Sequence, residues 1–174
     1  MNLDLDHRLV AALRAYGTDP RVAGPARALS RAGEHGALWL AAGLTAAAVD
    51  GARRGAWLRG TALVAGAHVA GTGVKQIVRR PRPAHVEPLV RTAGRHSFPS
   101  SHAASSAAAA VAVGTLGALG VRGRRVVRPL AAAVCLSRLV AGVHYPSDVA
   151  AGVALGALTA RLGADWMRGA AARD

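Results

Sequence analysis

The sequence predicts an all-α protein: an integral membrane helical bundle of about five to six transmembrane helices, preceded by an amphipathic N-terminal segment. Apolar residues make up 52% of the 174 residues, yet aromatic residues make up only 3%. Small residues let helices approach closely in lipid, whereas a soluble core of this size usually draws on Phe and Tyr to fill space. Charged residues flank long apolar runs rather than alternating with them, which favours membrane crossings.

Five apolar runs approach the roughly 20 helical residues that a bilayer crossing requires. The first run is short unless the two residues before it enter the interface. The predicted spans are 36–49, 57–78, 102–121, 126–143 and 149–167. The glycines Gly152 and Gly156 predict close helix contacts in the fifth span, and Gly114, Gly117 and Gly120 predict them in the third.

The chain begins with an amphipathic segment, LDLDHRLVAALRAY. Leu5, Leu9, Val10 and Leu13 fall on one helical face, opposite acidic and basic residues. We therefore expect residues 1–31 to form interfacial helices on the membrane surface. The start lacks the pattern of a cleaved signal peptide. The whole chain, 1–174, is predicted to be a single domain in which the catalytic motifs occupy 75–148.

The formal net charge of +13 has two possible explanations, nucleic-acid binding or contact with anionic membrane lipids. The arginines cluster at the ends of apolar runs, in GARRG and VRGRRVVR, and no aromatic-interleaved basic stripe accompanies them. This pattern favours membrane lipids as partners and argues against nucleic acid. The single cysteine, Cys135, excludes an intrachain disulfide.

Three polar segments fall at the same end of the predicted bundle, because successive spans alternate in direction. KQIVRRPRP follows the second span, FPSSH precedes the third, and SRLVAGVHYPSD connects the fourth to the fifth. Together they bring cations, hydroxyl groups, two histidines and one carboxylate to one aqueous face. Phosphoryl transfer requires this set of groups.

Taken singly, these residues also have structural explanations. Ser100 or Ser101 is a natural helix N-cap, and Asp148 is a favourable carboxylate in the first turn of a helix. A lone histidine at a membrane interface is more often structural than catalytic. The basic residues at the end of the second span are typical of anchors that reach from lipid to water: Lys75, Arg79, Arg80 and Arg82.

Phosphate binding accounts for the cations and for the helix start. A phosphate monoester carries about two negative charges, which fixed cations and N–H donors can hold. The candidate cations are Lys75, Arg82 and Arg138. The candidate donors are the backbone N–H groups of Ser100 and Ser101, at the positive end of the dipole of the third span.

The candidate catalytic residues are His144, Asp148 and His102. With no cysteine on this face and no metal-binding cluster in the sequence, histidine is the best candidate nucleophile, and we expect no metal and no cofactor. Asp148, four residues after His144, can accept a hydrogen bond from the second ring nitrogen. His102 is then the candidate acid that protonates the leaving group.

These segments closely resemble the signature of the type 2 phosphatidic acid phosphatase (PAP2) superfamily, which also includes the vanadium haloperoxidases. The family pattern is K-x6-RP, then PSGH, then SR-x5-H-x3-D. The matching residues are Lys75, Arg82, Pro83, Pro99, Ser100, His102, Ser137, Arg138, His144 and Asp148. Ser101 departs from the pattern, because the family usually has glycine there; serine keeps the backbone N–H and adds a side chain to the pocket.

The resemblance implies a metal-independent phosphatase. In it, the residue matching His144 forms a phosphohistidine, and the residue matching His102 protonates the leaving group and later activates water. The residue matching Asp148 assists the nucleophile. Family members with membrane spans act on lipid phosphates, which implies a lipid-linked phosphate substrate and a multi-pass location in the bacterial plasma membrane. The sequence assigns neither the oligomeric state nor the side of the membrane that the site faces.

The segment ARALSRAGEHGALWL and the short Ala/Arg-rich chain are similar to small actinobacterial members of the family that act on decaprenylphosphoryl-5-phosphoribose, an arabinan precursor. On this resemblance, Glu34 and His35 are expected at the rim of the site, although they equally suit the end of a span. Undecaprenyl diphosphate, phosphatidylglycerol phosphate and phosphatidic acid stay open as substrates, as does a non-catalytic lipid-binding role. A haloperoxidase is poorly supported, because those relatives are soluble and much larger.

Overall fold

The structure, a computed structural model, describes residues 3–92, 94–117 and 120–169. These ranges contain eight α-helices and no strand, which confirms the all-α prediction. Two 3₁₀ helices, Glu34–Gly36 and Gly51–Arg53, precede α3 and α4. The helices are α1 Leu3–Tyr16, α2 Pro20–Ala32, α3 Ala37–Val49, α4 Arg54–Val78, α5 Ser101–Leu116, α6 Gly120–Val140, α7 Pro146–Leu162 and α8 Ala164–Arg168.

Helix α5 lies at the centre of the bundle and packs against α4, α6 and α7. Its contact with α7 is close because two glycines of α7 face the α5 backbone. A Cβ atom at Gly156 would lie 1.9 Å from the carbonyl oxygen of Ala104, and one at Gly152 would lie 2.3 Å from that of Ser100. The close approach predicted for α7 is therefore confirmed. The same prediction is wrong for Gly114, next to which a Cβ atom would meet only open space.

The helices that correspond to the predicted spans are shorter or more highly charged than predicted. Helices α3, α5 and α7 have 13, 16 and 17 residues. Helices α4 and α6 have 25 and 21 residues, but arginines interrupt the apolar stretch of each. Within the described ranges, no helix combines the length and the apolar character of a bilayer crossing. Residues 118 and 119 of the predicted third span lie outside the described residues.

The two N-terminal helices pack on the bundle, with α1 against α6 and α7 and α2 against α6. The buried side of α1 coincides only in part with the predicted apolar face. Val10 is fully buried and Asp6 is only 5% exposed, whereas Leu5 and Leu9 are exposed. Polar contacts of Asp6 therefore hold α1 on the bundle together with the apolar packing of Val10.

The segment between α4 and α5 folds back over one end of the bundle. The backbone N–H of Ser97 donates to the carbonyl of Arg80 at 2.8 Å, and that of Leu89 donates to Ala141 at 2.9 Å. These bonds bring the end of α4, the start of α5 and the turn between α6 and α7 to the same place. The three polar sequence segments thus converge, as predicted.

Candidate active site

A cavity of about 310 Å³ opens where these segments meet. Eight of the ten residues predicted for the site line it or its edge: Glu34, His35, Lys75, Arg82, Ser101, His102, Arg138 and His144. The other two, Ser100 and Asp148, are fully buried and do not line it. The predicted constellation is therefore one cluster in space, although its residues come from four α-helices, one 3₁₀ helix and two connecting segments.

His144 is held between a carboxylate and a guanidinium. Its Nδ1 lies 3.4 Å from Oδ2 of Asp148, and Nη1 of Arg82 donates to its Nε2 at 3.3 Å. Because a guanidinium can only donate, Nε2 is the acceptor, so Nδ1 of the neutral ring carries the hydrogen and faces the carboxylate. Burial lowers the pKa of His144 well below its usual range, and Arg82 lowers it further. The ring is therefore neutral at pH 7, with its lone pair on Nε2.

Asp148 is fixed on both of its oxygens. Oδ2 accepts a hydrogen bond from the backbone N–H of Tyr145 at 2.9 Å, which caps the start of α7. Oδ1 accepts a hydrogen bond from Nη1 of Arg80 at 2.9 Å. The same carboxylate therefore caps α7 and lies beside His144, although Nδ1 of His144, at 3.4 Å, makes no hydrogen bond to it or to any other described residue. The orientation of the carboxylate follows from where α7 begins.

The three predicted phosphate-binding cations differ in what they already bind. Lys75 donates through Nζ to the carbonyls of Ser97 (3.0 Å) and Pro99, so it holds the loop before α5. Arg82 donates to the carbonyl of Val143 at 2.7 Å. Arg138 is 4% exposed, and its buried Nε has no hydrogen-bond partner among the described residues. A buried donor without a partner in the wall of a cavity suits an anionic ligand.

The start of α5 departs from the prediction at one of its two serines. The side chain of Ser100 caps the helix by accepting from the N–H of Ala103 at 3.4 Å. Its backbone N–H donates to the carbonyl of Asp148 at 2.9 Å, so this predicted phosphate donor is already engaged. Ser101 lines the cavity, where the first N–H groups of α5 lack partners within the helix.

His102 lies on the first turn of α5 and lines the same cavity as His144. Its Nε2 lies 3.1 Å from the carbonyl oxygen of Ser30. A carbonyl can only accept, so Nε2 carries a hydrogen. Proton exchange at this ring therefore takes place at Nδ1, which accepts a proton when the ring is neutral and donates one when it is cationic.

Glu34 and His35 lie in the 3₁₀ helix between α2 and α3, at the edge of the cavity. Both are exposed. The ring of His35 lies 6.3 Å from the ring of His68, which also lines the cavity. These two residues are thus at the rim, where the sequence predicted them. No sequence motif marks His68, which is an isolated histidine within α4.

Two further residues that the sequence analysis did not select, Asp6 and Arg80, contact this site from outside the cavity. Arg80 donates to Asp148 through Nη1 and to Oδ2 of Asp6 through Nη2, at 2.8 Å. Asp6 also accepts from the backbone N–H of Ser147 at 3.1 Å. Arg80 was interpreted only as a membrane anchor, and no local signal marks Asp6, which lies 74 residues away in the chain.

Within the described residues, no group of three or more His, Cys, Asp or Glu side chains is arranged to hold a metal ion. Two of the predicted histidines and the three predicted cations line the cavity: His102, His144, Lys75, Arg82 and Arg138. Chemically, this arrangement combines a neutral imidazole with an available lone pair, a second imidazole that can move a proton, and a cationic wall.

Residues 56–171 match the model of the PAP2 superfamily. A decaprenylphosphoryl-5-phosphoribose phosphatase of Mycolicibacterium smegmatis is 44% identical over 149 residues, which cover 84% of this chain and 80% of that protein. The phosphatase of the same description from Mycobacterium tuberculosis strain H37Rv is 42% identical over 155 residues, covering 86% and 82%.

Two crystal structures share the fold. A transmembrane PAP2-type phosphatidylglycerolphosphate phosphatase from Bacillus subtilis superposes with a TM-score of 0.83 at 22% identity, over 99% of this chain and 90% of that one. A bacterial vanadium-dependent iodoperoxidase superposes with a TM-score of 0.64 at 15% identity, over 92% of this chain and 48% of that one. At these identities the likeness concerns the fold alone.

Proposed function

The chain belongs to the PAP2 superfamily, and we propose that it removes the 5-phosphate from decaprenylphosphoryl-5-phosphoribose through a phosphohistidine at His144. That it is a phosphatase, a phosphoric monoester hydrolase, follows from the family and from the relatives of that description. The observation that supports the substrate is the 44% identity to such a phosphatase across 84% of this chain.

In the first step, substrate phosphate enters the cavity and takes hydrogen bonds from the cationic wall. Nη1 of Arg82 then turns from Nε2 of His144 to a phosphate oxygen, and the unpartnered Nε of Arg138 gains an acceptor. These interactions neutralise the charge that repels a nucleophile, and they strengthen as charge spreads over the equatorial oxygens. The released Nε2 lone pair faces phosphorus.

In the second step, Nε2 of His144 attacks phosphorus and the P–O bond to the ribose C5 oxygen breaks. Nδ1 of His102 receives the proton of the bound phosphate monoanion and gives it to the departing oxygen. The positive charge that forms on the phosphorylated ring is stabilised by Asp148 next to Nδ1. Water then attacks phosphorus, His102 takes its proton, and the N–P bond breaks to release phosphate and the neutral ring. The departing phosphate takes the proton from His102, so the cycle leaves both histidines neutral, as they began.

We also propose that the chain works as a multi-pass protein of the bacterial plasma membrane. A decaprenyl-linked substrate resides in the lipid phase, and the PAP2 neighbour from Bacillus subtilis is described as transmembrane. On this chain, large apolar side chains are exposed along the sides of the bundle, including Leu44, Leu58, Val69, Leu136 and Leu158. Exposed apolar side chains on four different helices suit contact with lipid. Resistance of the membrane-bound protein to extraction by alkaline carbonate tests this proposal.

The test of the function is phosphate release by the detergent-purified protein in EDTA, with His144→Ala as the matched control. The panel contains polyprenylphosphoryl-5-phosphoribose, undecaprenyl diphosphate, phosphatidylglycerol phosphate and phosphatidic acid. We expect a preference of at least tenfold in kcat/KM for the phosphoribose lipid. Equal or better turnover of another lipid would overturn the substrate while leaving the histidine chemistry in place. No release from any of them would favour a lipid-binding role.

A further inference from the structure

Asp6 of α1, Arg80 of the segment after α4 and Asp148 of α7 form a buried row of alternating charge that ends at His144. The guanidinium of Arg80 contacts one carboxylate through each terminal nitrogen: Asp148 at 2.9 Å and Asp6 at 2.8 Å. The side chains are 11%, 7% and 0% exposed for Arg80, Asp6 and Asp148 respectively. Solvent screens contacts this deeply buried only weakly.

Asp6 adds a negative charge that the pair of Asp148 and Arg80 lacks. Asp148 paired with Arg80 alone is a neutral unit, which has little negative charge left to stabilise a cationic ring at His144. The other charged groups that influence the His144 ring destabilise its cationic form further, because Arg82, Arg138 and Lys75 are all cationic. A second carboxylate on the far side of Arg80 returns the unit to a net charge of −1. Asp6 is that carboxylate.

The surroundings of Asp6 keep it ionised. Burial raises its pKa, but hydrogen bonds from Ser147 and Arg80 outweigh that effect and hold the pKa below its usual range. The hydroxyl of Ser147 also donates to Oδ2 of Asp6 and accepts from Nη1 of Arg80 at 2.7 Å. The ring of Tyr145 covers the guanidinium, with Cζ of Arg80 4.0 Å from its centroid. Arg80 is thereby held in one position between its two carboxylates.

We propose that Asp6 is a positioning residue for the reaction: by sharing Arg80 it keeps Asp148 oriented, and it gives the buried unit of Asp6, Arg80 and Asp148 a net charge of −1 next to His144. The inference rests on the proposed function, since it concerns the step in which His144 becomes cationic. Asp6 touches neither the cavity nor the substrate. Its effect therefore belongs to the chemical step, and substrate binding is left as it was.

The test compares kcat and KM of the purified wild type with those of Asp6→Asn, on p-nitrophenyl phosphate and on polyprenylphosphoryl-5-phosphoribose. Asparagine has nearly the same shape and retains an acceptor for Ser147, but lacks the charge. We expect kcat to fall roughly tenfold, as is typical when an outer partner of a reactive group is lost, with KM unchanged. Asp4→Asn, on the exposed side of the same helix, is the matched control and is expected to retain wild-type kinetics.

A kcat of Asp6→Asn within twofold of wild type would overturn the inference, as would a rise in KM at constant kcat. Ser147→Ala keeps both charges while removing the hydroxyl that braces them, so it loses less kcat than Asp6→Asn. If Asp6→Asn does not fold, Ser147→Ala tests the inference instead. A loss of kcat of tenfold or more in Ser147→Ala would overturn the inference, because it would mean that the hydrogen bonds of Ser147 matter and the charge of Asp6 does not. An inactive wild type would instead count against the proposed function itself.

Discussion

Nδ1 of His144 lies 3.4 Å from Oδ2 of Asp148; both side chains are buried, and His144 lines the cationic cavity. The two residues are four positions apart, but they do not share a helix: His144 precedes α7, and Asp148 lies in its first turn. The turn that leads from the end of α6 to His144 contains Gly142 at φ +69°, a conformation that favours glycine. Their pairing is thus built by the way α6 ends and α7 begins.

Replacing Asp148 by asparagine removes the charge next to His144 at nearly constant shape. We expect kcat to fall by roughly 10³- to 10⁴-fold, the loss typical of an orienting aspartate behind a reactive histidine, with little change in KM. The comparison is with Asp165→Asn, since Asp165 is an exposed residue of α8 whose side chain is 82% accessible. Steady-state phosphate release by both variants checks this, and a loss below tenfold in Asp148→Asn would argue that the carboxylate only caps α7.

Arg138 offers the buried Nε that lacks a partner, so its loss is expected to weaken phosphate binding. Hydrogen bonds to a charged group contribute about 1.5–3 kcal/mol, so Arg138→Gln should lower kcat/KM by roughly 10- to 100-fold. Inhibition by inorganic phosphate should weaken in parallel. Arg161→Gln, on the exposed side of α7, is the matched control. Unchanged inhibition by phosphate in Arg138→Gln would show that this arginine does not contact the anion.

Stability should depend on pH through His144. Its folded pKa lies well below the usual value of 6.5 because of burial and of Arg82. Between the two values the unfolded chain binds the proton and the folded protein does not, so this stability is fully present above about pH 6.5 and declines by up to about 1.4 kcal/mol per pH unit below it. Thermal unfolding of wild type and His144→Asn from pH 7.5 to 5 measures the difference. Parallel curves for the two proteins would contradict a buried neutral ring.

Two glycines in different surroundings are expected to respond in opposite ways to replacement by alanine. Gly156→Ala forces a Cβ atom against the carbonyl of Ala104, so we expect a loss of roughly 1–3 kcal/mol from overpacking. Gly66→Ala in α4 meets no atom within 4 Å and should stabilise by about 0.5–1 kcal/mol, because alanine has less backbone freedom to lose than glycine. Thermal unfolding in detergent compares the two. A Gly156→Ala protein as stable as wild type would contradict the close packing.

The sequence predicted the residues that line the site better than the residues that hold them in place. Lys75, Arg138 and His144 could be grouped because each belongs to a spaced motif whose residue types serve one chemistry, and because alternating helices bring those motifs to one end. Asp6 could not be included, because its role depends on how α1 packs against α7, and a single acidic residue in an amphipathic helix predicts only a solvated face. The engagement of the Ser100 N–H by Asp148 likewise depends on the approach of α7 to α5.

The predicted spans agree with the helices in their place along the chain but not in their lengths. Apolar composition alone placed their boundaries, but helix ends depend on local conformations such as that of Gly117 at φ +61°, which ends α5 after Leu116. Arginines counted as flanking residues of the third and fourth spans instead lie within α6, which begins at Gly120. Hydropathy identified where helices lie along the chain, and the turn residues determined their lengths.

Direct capture of the phosphorylated enzyme tests the central claim, that His144 is the nucleophile. Purified wild type is mixed with substrate labelled with ³²P in the phosphate that leaves, quenched in alkali within milliseconds, digested and mapped. We predict an alkali-stable, acid-labile label on the peptide that contains His144, and none in His144→Asn or in wild type after the substrate is exhausted. A label on another residue, or turnover retained by His144→Asn, would contradict the mechanism.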